Sequence, residues 1–91
     1  MDKLQLTIVT PDEMVFDGVA FDGDADRVLV RTTEGEVAIL PRHIDYAAAL
    51  AAGEGRITFD GKVRRARIDG GLMHVSRNRV RILANAFEWL K

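Results

Sequence analysis

Short runs that alternate polar and apolar residues, each stopped by a turn signal, leave this chain little choice but a sheet. Lys3-Leu4-Gln5-Leu6-Thr7-Ile8 alternates without a break, the period-2 pattern of a strand with one buried face. Arg56-Ile57-Thr58-Phe59 and Lys62-Val63 flank Asp60-Gly61, and Asp-Gly between two β-rich runs specifies a type I′ hairpin. The second strand continues through Arg65 to Asp69 and breaks at Gly70-Gly71. Leu72-Met73-His74-Val75-Ser76 then turns at Arg77-Asn78 and returns as Arg79-Val80-Arg81-Ile82-Leu83. Short strands at this spacing predict an all-β fold, either a sandwich or a barrel.

The rest of the chain fits the same scheme with more interruptions. Thr10-Pro11-Asp12-Glu13 reads as a turn, because proline fixes its own φ and cannot donate to a ladder. Met14-Val15-Phe16 restarts a strand, Asp17-Gly18 interrupts it and Val19-Ala20-Phe21 resumes it. The acidic run Asp22-Gly23-Asp24-Ala25-Asp26 begins like a calcium loop, but Arg27 and Thr33 stand where that loop needs glycine and glutamate. It is read as an acidic turn or bulge entering Arg27-Val28-Leu29-Val30-Arg31. By propensity alone, Tyr46-Ala47-Ala48-Ala49-Leu50-Ala51-Ala52 predicts a short helix capped by Gly53. The tail Ala84 to Lys91, with the sole tryptophan Trp89, is a strand end or the stub of a helix. The organisation expected is a sandwich over residues 1–85 and a C-terminal stub over 86–91.

Ninety-one residues make one domain. Cysteine is absent, which excludes disulfides, thiolate zinc sites and cysteine nucleophiles. The net charge of −1 hides an asymmetry, with an acidic first third and a basic last third. Nucleic acid is not the expected partner: Arg65, Arg67, Arg77, Arg79 and Arg81 are spread through strand alternation without interleaved aromatics. Catalysis is not expected either. Ser76, the only serine, lies two residues from His74 without nucleophile-elbow glycines or a third triad member. A metal site on the two histidines, His43 and His74, needs a third ligand that only Glu36 or Asp45 offers, and a lone loop histidine more often makes a surface hydrogen bond. Gly53-Glu54-Gly55 is no phosphate loop. No catalytic residue, metal or cofactor is therefore assigned. What stands out is a polar, proline-pinned stretch, Thr32 to His43, on which recognition would rest.

Taken in order, several pieces resemble the N-terminal β-sandwich domain of the epsilon subunit of rotary ATP synthases. They are Ile8-Val9-Thr10-Pro11, Val15-Phe16-Asp17-Gly18, and Thr33-Glu34-Gly35-Glu36 followed by Ile39-Leu40-Pro41 and His43. Ala49-Leu50, Gly53 before Arg56-Ile57, Gly70-Gly71 with Val75, and Val80 to Asn85 complete the set. The resemblance implies an all-β, flattened antiparallel β-sandwich of about 8–10 short strands, ten in the family, at the foot of the central stalk. It implies a non-catalytic subunit that docks on the gamma subunit and the c-ring and couples ion flow to ATP synthesis. Peripheral attachment to the cytoplasmic face of the membrane through the c-ring follows, with no homo-oligomer required. The implied contact residues are Glu34, Glu36, Pro41, Arg42, His43 and Asp45. Glu36 would accept from a c-loop arginine, and His43 would donate or accept according to its protonation. The resemblance also implies that the stretch around Ala47 to Leu50 is extended, against its propensity.

Three departures stand beside the resemblance. Arg42-His43-Ile44-Asp45 replaces the family's common Gly-His-Ala-Pro and looks like a divergent, sometimes sodium-linked branch. Asp22 to Asp26 is more acidic than usual. The chain ends where the family's regulatory two-helix hairpin would begin, so no hairpin is expected here and no inhibitory or ATP-binding role is carried over. The alternative reading is a free-standing β-sandwich module that binds a small ligand or carbohydrate, which calls for an aromatic-lined pocket.

Overall fold

Alternation sets which side chains meet, and the core follows from it. Leu4, Leu6 and Ile8 are fully buried on the first strand, Val28 and Val30 on the third, and Val80, Ile82 and Ala84 on the ninth. The residues between them face outward, as a pleated strand requires. The computed structural model of the chain describes residues 3–10, 19–42 and 45–90, the first five of the second stretch by backbone alone. The turn expected at Pro11 to Glu13, the strand expected at Met14 to Phe16 and its interruption at Asp17-Gly18 lie outside the described residues.

Among the described residues, ten strands run in order: β1 Leu4–Val9, β2 Val19–Ala25, β3 Arg27–Thr32, β4 Gly35–Ile39, β5 Tyr46–Leu50, β6 Gly53–Phe59, β7 Lys62–Ile68, β8 Gly71–Ser76, β9 Arg79–Ala84 and β10 Phe87–Trp89. They form one continuous hydrogen-bonded surface, β10-β7-β6-β3-β5-β8-β9-β1-β2, with β4 on the other edge of β3. The surface curls into two layers, β4-β3-β6-β7-β10 and β5-β8-β9-β1-β2. A single ladder pair, Thr32 with Leu50, joins them. The packed body measures 37 × 26 × 25 Å. Pairing is antiparallel throughout except for β1 against β9, which is parallel. No connection of the βαβ kind is needed for that pair, because β1 and β9 are far apart in sequence and meet only after the layer closes.

Three local readings are decided on folding. Tyr46–Leu50 is the strand β5, as the resemblance implied, and not the helix its alanines favour. Its five residues pair in full with β8, from Tyr46 opposite Val75 to Leu50 opposite Gly71. Pairing supplies every residue with a ladder partner, whereas a helix this short pays nucleation for very few bonds. The acidic run is not a turn: Asp22 to Ala25 belong to β2, and only Asp26 bends. The bulge is set elsewhere, where the register shifts between Ile8 opposite Phe21 and Val9 opposite Val19. Lastly, the tail is the strand β10, which pairs with Ala66 to Ile68 of β7. Trp89 stands edge-on to Phe87 at 5.0 Å and to Phe59 at 6.2 Å, and the Arg64 guanidinium lies 4.1 Å from the Trp89 ring centre.

Both predicted hairpins form with left-handed central residues: Asp60 at φ 49° and Gly61 at 81°, then Arg77 at 52° and Asn78 at 62°. Primed turns of this kind match the twist of the strands they join. At Gly71, φ is 122° and a Cβ would fall 1.9 Å from the Leu83 carbonyl oxygen. Only glycine lets β8 and β9 approach that closely.

Candidate functional site

The strand β4 separates two polar ends of the sandwich. At its beginning, the β3–β4 turn is clamped by Thr32, one of the few buried polar residues. The Thr32 hydroxyl donates to the Gly35 carbonyl at 2.7 Å, and its oxygen accepts from the Glu34 amide at 3.1 Å. Gly35 supplies the positive φ, 122°, that the turn needs. Thr33 then donates its amide to the Ala49 carbonyl, and Ala51 donates to Arg31, which ties the turn to the end of β5. Glu34 and Glu36 project from this anchored turn and are exposed.

The far end of β4 leads into Pro41 and Arg42. Arg42 sits at φ 67°, a left-handed position that costs a non-glycine residue of order 1 kcal/mol. The turn is held across the molecule: the Arg42 amide donates to Asn78 Oδ1 at 2.6 Å. The Asn78 carbonyl in turn accepts from the Gln5 amide at 2.7 Å. Asp45 is exposed and enters β5 at this same end, beside Tyr46 and Val75. Nearby, Lys3 bridges Asp26 and Asp60. The hydrogen bond to Asp26, and then the one to Asp60, hold the Lys3 ammonium above the usual lysine range. The same bond from Lys3 holds the Asp26 carboxyl below the usual carboxylate range.

The sequence-predicted contact residues therefore fall into two groups. Glu34 and Glu36 share one end, while Pro41, Arg42 and Asp45 share the other. At about 3.3 Å per strand residue, Glu36 and Pro41 stand roughly 16 Å apart. His43 lies outside the described residues. Glu36 and Asp45 stand at opposite ends of β4, and among the described residues no group of three or more His, Asp or Glu side chains is placed to hold a metal. His74 and Ser76 share the outward face of β8, opposite Arg81 and Arg79 and not opposite an acid.

Sequence reasoning missed Asn78. An Arg-Asn hairpin reads as a turn and nothing more, and only the folded topology shows its amide oxygen holding a second loop 36 residues away. Between the two ends, the outer face of β1, β5, β8 and β9 carries an apolar trough of about 480 Å³, lined by residues such as Val9, Ala47, Leu72 and Leu83. Leu72 and Leu83 are 58% and 56% exposed. Among the described residues no Phe, Tyr or Trp lines that trough, in contrast to what the ligand- or carbohydrate-binding alternative calls for.

Residues 3–90 match the family model of the ATP synthase delta/epsilon chain β-sandwich domain. An ATP synthase epsilon chain of Alkalihalophilus pseudofirmus is 40% identical over 88 residues, which are 97% of this chain and 62% of that relative. One from Halalkalibacterium halodurans is 41% identical over the same shares of each chain. The chain thus spans about three-fifths of the length of these curated relatives. Among solved structures, a chain in the mitochondrial ATP synthase assembly of Euglena gracilis (OSCP, F1 and c-ring) superposes with a TM-score of 0.84. It is 26% identical, over 96% of this chain and 53% of that one. A chain in the central stalk and c-ring assembly of the Tetrahymena thermophila mitochondrial ATP synthase shares the fold, with a TM-score of 0.75 at 21% identity over 94% of this chain and 66% of that one.

Proposed function

The chain belongs to the β-sandwich domain family of ATP synthase delta and epsilon chains, and from that premise we propose that it is the non-catalytic, epsilon-type stalk component of a rotary ATP synthase. It docks on the gamma subunit and the c-ring and helps couple ion translocation to ATP synthesis. It is held peripherally at the cytoplasmic face of the membrane through the ring. The observation that carries the reading is the family match from residue 3 to residue 90, which takes in both polar ends and the whole core between them.

The physics of the fold suits that work. A spacer that turns with its partners must pass torque without deforming, and a close-packed core has low compressibility. Its ends must present polar groups to two different partners. The acidic turn bearing Glu34 and Glu36 suits an arginine on a polar ring loop, through a charge-assisted bond. An end some 16 Å away, with Pro41, Arg42 and Asp45, offers a second polar contact surface. The trough, with no Phe, Tyr or Trp among its described lining residues, gives the free-standing ligand- or carbohydrate-binding alternative no support.

A pull-down separates these readings. The chain is expected to capture its cognate gamma subunit alone, and the c-ring when membranes are added. Failure to capture gamma overturns the proposal. A ligand-induced rise in melting temperature with a sugar library, without gamma capture, would favour the binding-module alternative.

A further inference from the structure

The β8–β9 hairpin carries charge that the stalk role does not use. Its outward positions place Ser76 opposite Arg79 and His74 opposite Arg81, and Arg77 crowns the turn. Cα atoms of directly opposed residues are about 5 Å apart, and alternate residues along a strand about 7 Å. Four donors therefore ring a patch about 5 × 7 Å across, over a depression of about 430 Å³ that they line together with Arg77.

Several of the other basic side chains have partners, though among the described residues Arg27, Arg31, Lys62 and Arg67 do not. Arg56 and Arg65 reach Glu54, Lys3 reaches Asp26 and Asp60, and Arg64 covers Trp89. Among the described residues, Arg77, Arg79 and Arg81 pair with no carboxylate. Arg77 moreover occupies a left-handed turn position, φ 52°, where asparagine or glycine would sit without strain. A residue held in a costly conformation while presenting an unpaired charge invites a functional explanation.

We infer that this hairpin face is an oxyanion site that takes a phosphate group. The guanidinium forks of Arg79 and Arg81 bind it from one strand, the Ser76 hydroxyl donates from the other, and Arg77 closes the turn side. Guanidinium is planar and matches phosphate oxygens two at a time. The compactness of the patch favours one multiply charged group over an acidic polypeptide, whose carboxylates would be strung out along a strand or helix. His74 and Arg81 also line the apolar trough that contains Leu72 and Leu83, so the site has room for an apolar body attached to the phosphate. The shared chemistry is the phosphate group, free or as a phospholipid headgroup.

The test is an amide-resolved NMR titration of the 91-residue chain at constant ionic strength. One arm uses pyrophosphate and a second a soluble short-chain phosphatidic acid. Saturable shifts centred on Ser76 to Arg81 are expected in both arms. Arg79→Gln with Arg81→Gln is expected to weaken binding about tenfold or more, while Arg67→Gln on β7 changes it less than about twofold. Thermal melts confirm that each variant is folded. Tighter binding of the lipid, with added shifts at Leu72 and Leu83, identifies a headgroup site, and equal affinity with shifts confined to the hairpin identifies a free phosphate site. The inference is overturned by non-saturating shifts, by equal loss in the Arg67→Gln control, or by binding of polyglutamate in place of phosphate. Gamma capture is unaffected by any of these outcomes, so the two proposals fail separately.

Discussion

Gly71 and Gly35 make a matched pair for asking how much a close strand approach is worth. Both have φ 122°, so alanine at either bears the same kind of backbone strain, of order 1–3 kcal/mol. Their surroundings differ. A Cβ at Gly35 meets nothing within 4 Å, whereas one at Gly71 falls 1.9 Å from the Leu83 oxygen and 2.9 Å from Ala84 Cα. A methyl group needs a little over 3 Å from a carbonyl oxygen, so β9 has to retreat by more than 1 Å. That shift disturbs the Gly71–Ala84 and Leu72–Leu83 pairs and the packing of Ala84. Overpacking of this kind costs about 1–3 kcal/mol, and each weakened backbone bond about 1 kcal/mol. Gly35→Ala is therefore expected to cost about 1–3 kcal/mol, and Gly71→Ala about 2–4 kcal/mol more, because the strain is common to both. In a domain this size 1 kcal/mol moves the melting temperature by roughly 4–8 °C. The two variants should thus melt at least about 8 °C apart by circular dichroism. Equal melting temperatures would refute the claim that β8 and β9 are in van der Waals contact at that point.

Asn78→Ala removes both a residue suited to φ 62° and the acceptor for the Arg42 amide, and should cost about 1–2 kcal/mol in urea unfolding. Asn78→Gly keeps the conformation and should recover part of that loss. Arg42→Gly relieves a left-handed side chain but loosens the unfolded chain, so stability should change by less than about 1 kcal/mol in either direction. Glu36→Ala should leave the melting temperature nearly unchanged, since exposed substitutions usually cost less than about 0.5 kcal/mol, and should lower c-ring capture while sparing gamma capture. The Lys3–Asp26 bond sets an acid dependence. Asp26 titrates below its unfolded value, so the bond's contribution is complete above about pH 4 and is lost as pH falls through the lowered folded value. Lys3→Met should flatten the fall in stability between about pH 4 and pH 2, and an unchanged slope would count against the bond.

The strands were legible because alternation is written residue by residue, and the Asp60-Gly61 hairpin because a type I′ turn has its own chemistry. The helix suggested by Tyr46 to Ala52 shows the limit of local reading. Alanine prefers a helix by a few tenths of a kcal/mol per residue, and full pairing with β8 outweighs that preference. No single-sequence signal reports the partner strand. The contact residues were legible as a group of types but not as an arrangement. Glu34 to Asp45 spans 12 positions and reads as one polar loop, yet Gly35 to Ile39 is a strand, and a strand drives its two flanks apart by its own length. Sequence proximity becomes spatial opposition as soon as the intervening residues are extended. The converse holds at Asn78, where residues remote in sequence share one anchored turn. A partner gripping Arg42 therefore also bears on the β8–β9 hairpin, through a hydrogen bond that neither segment predicts alone.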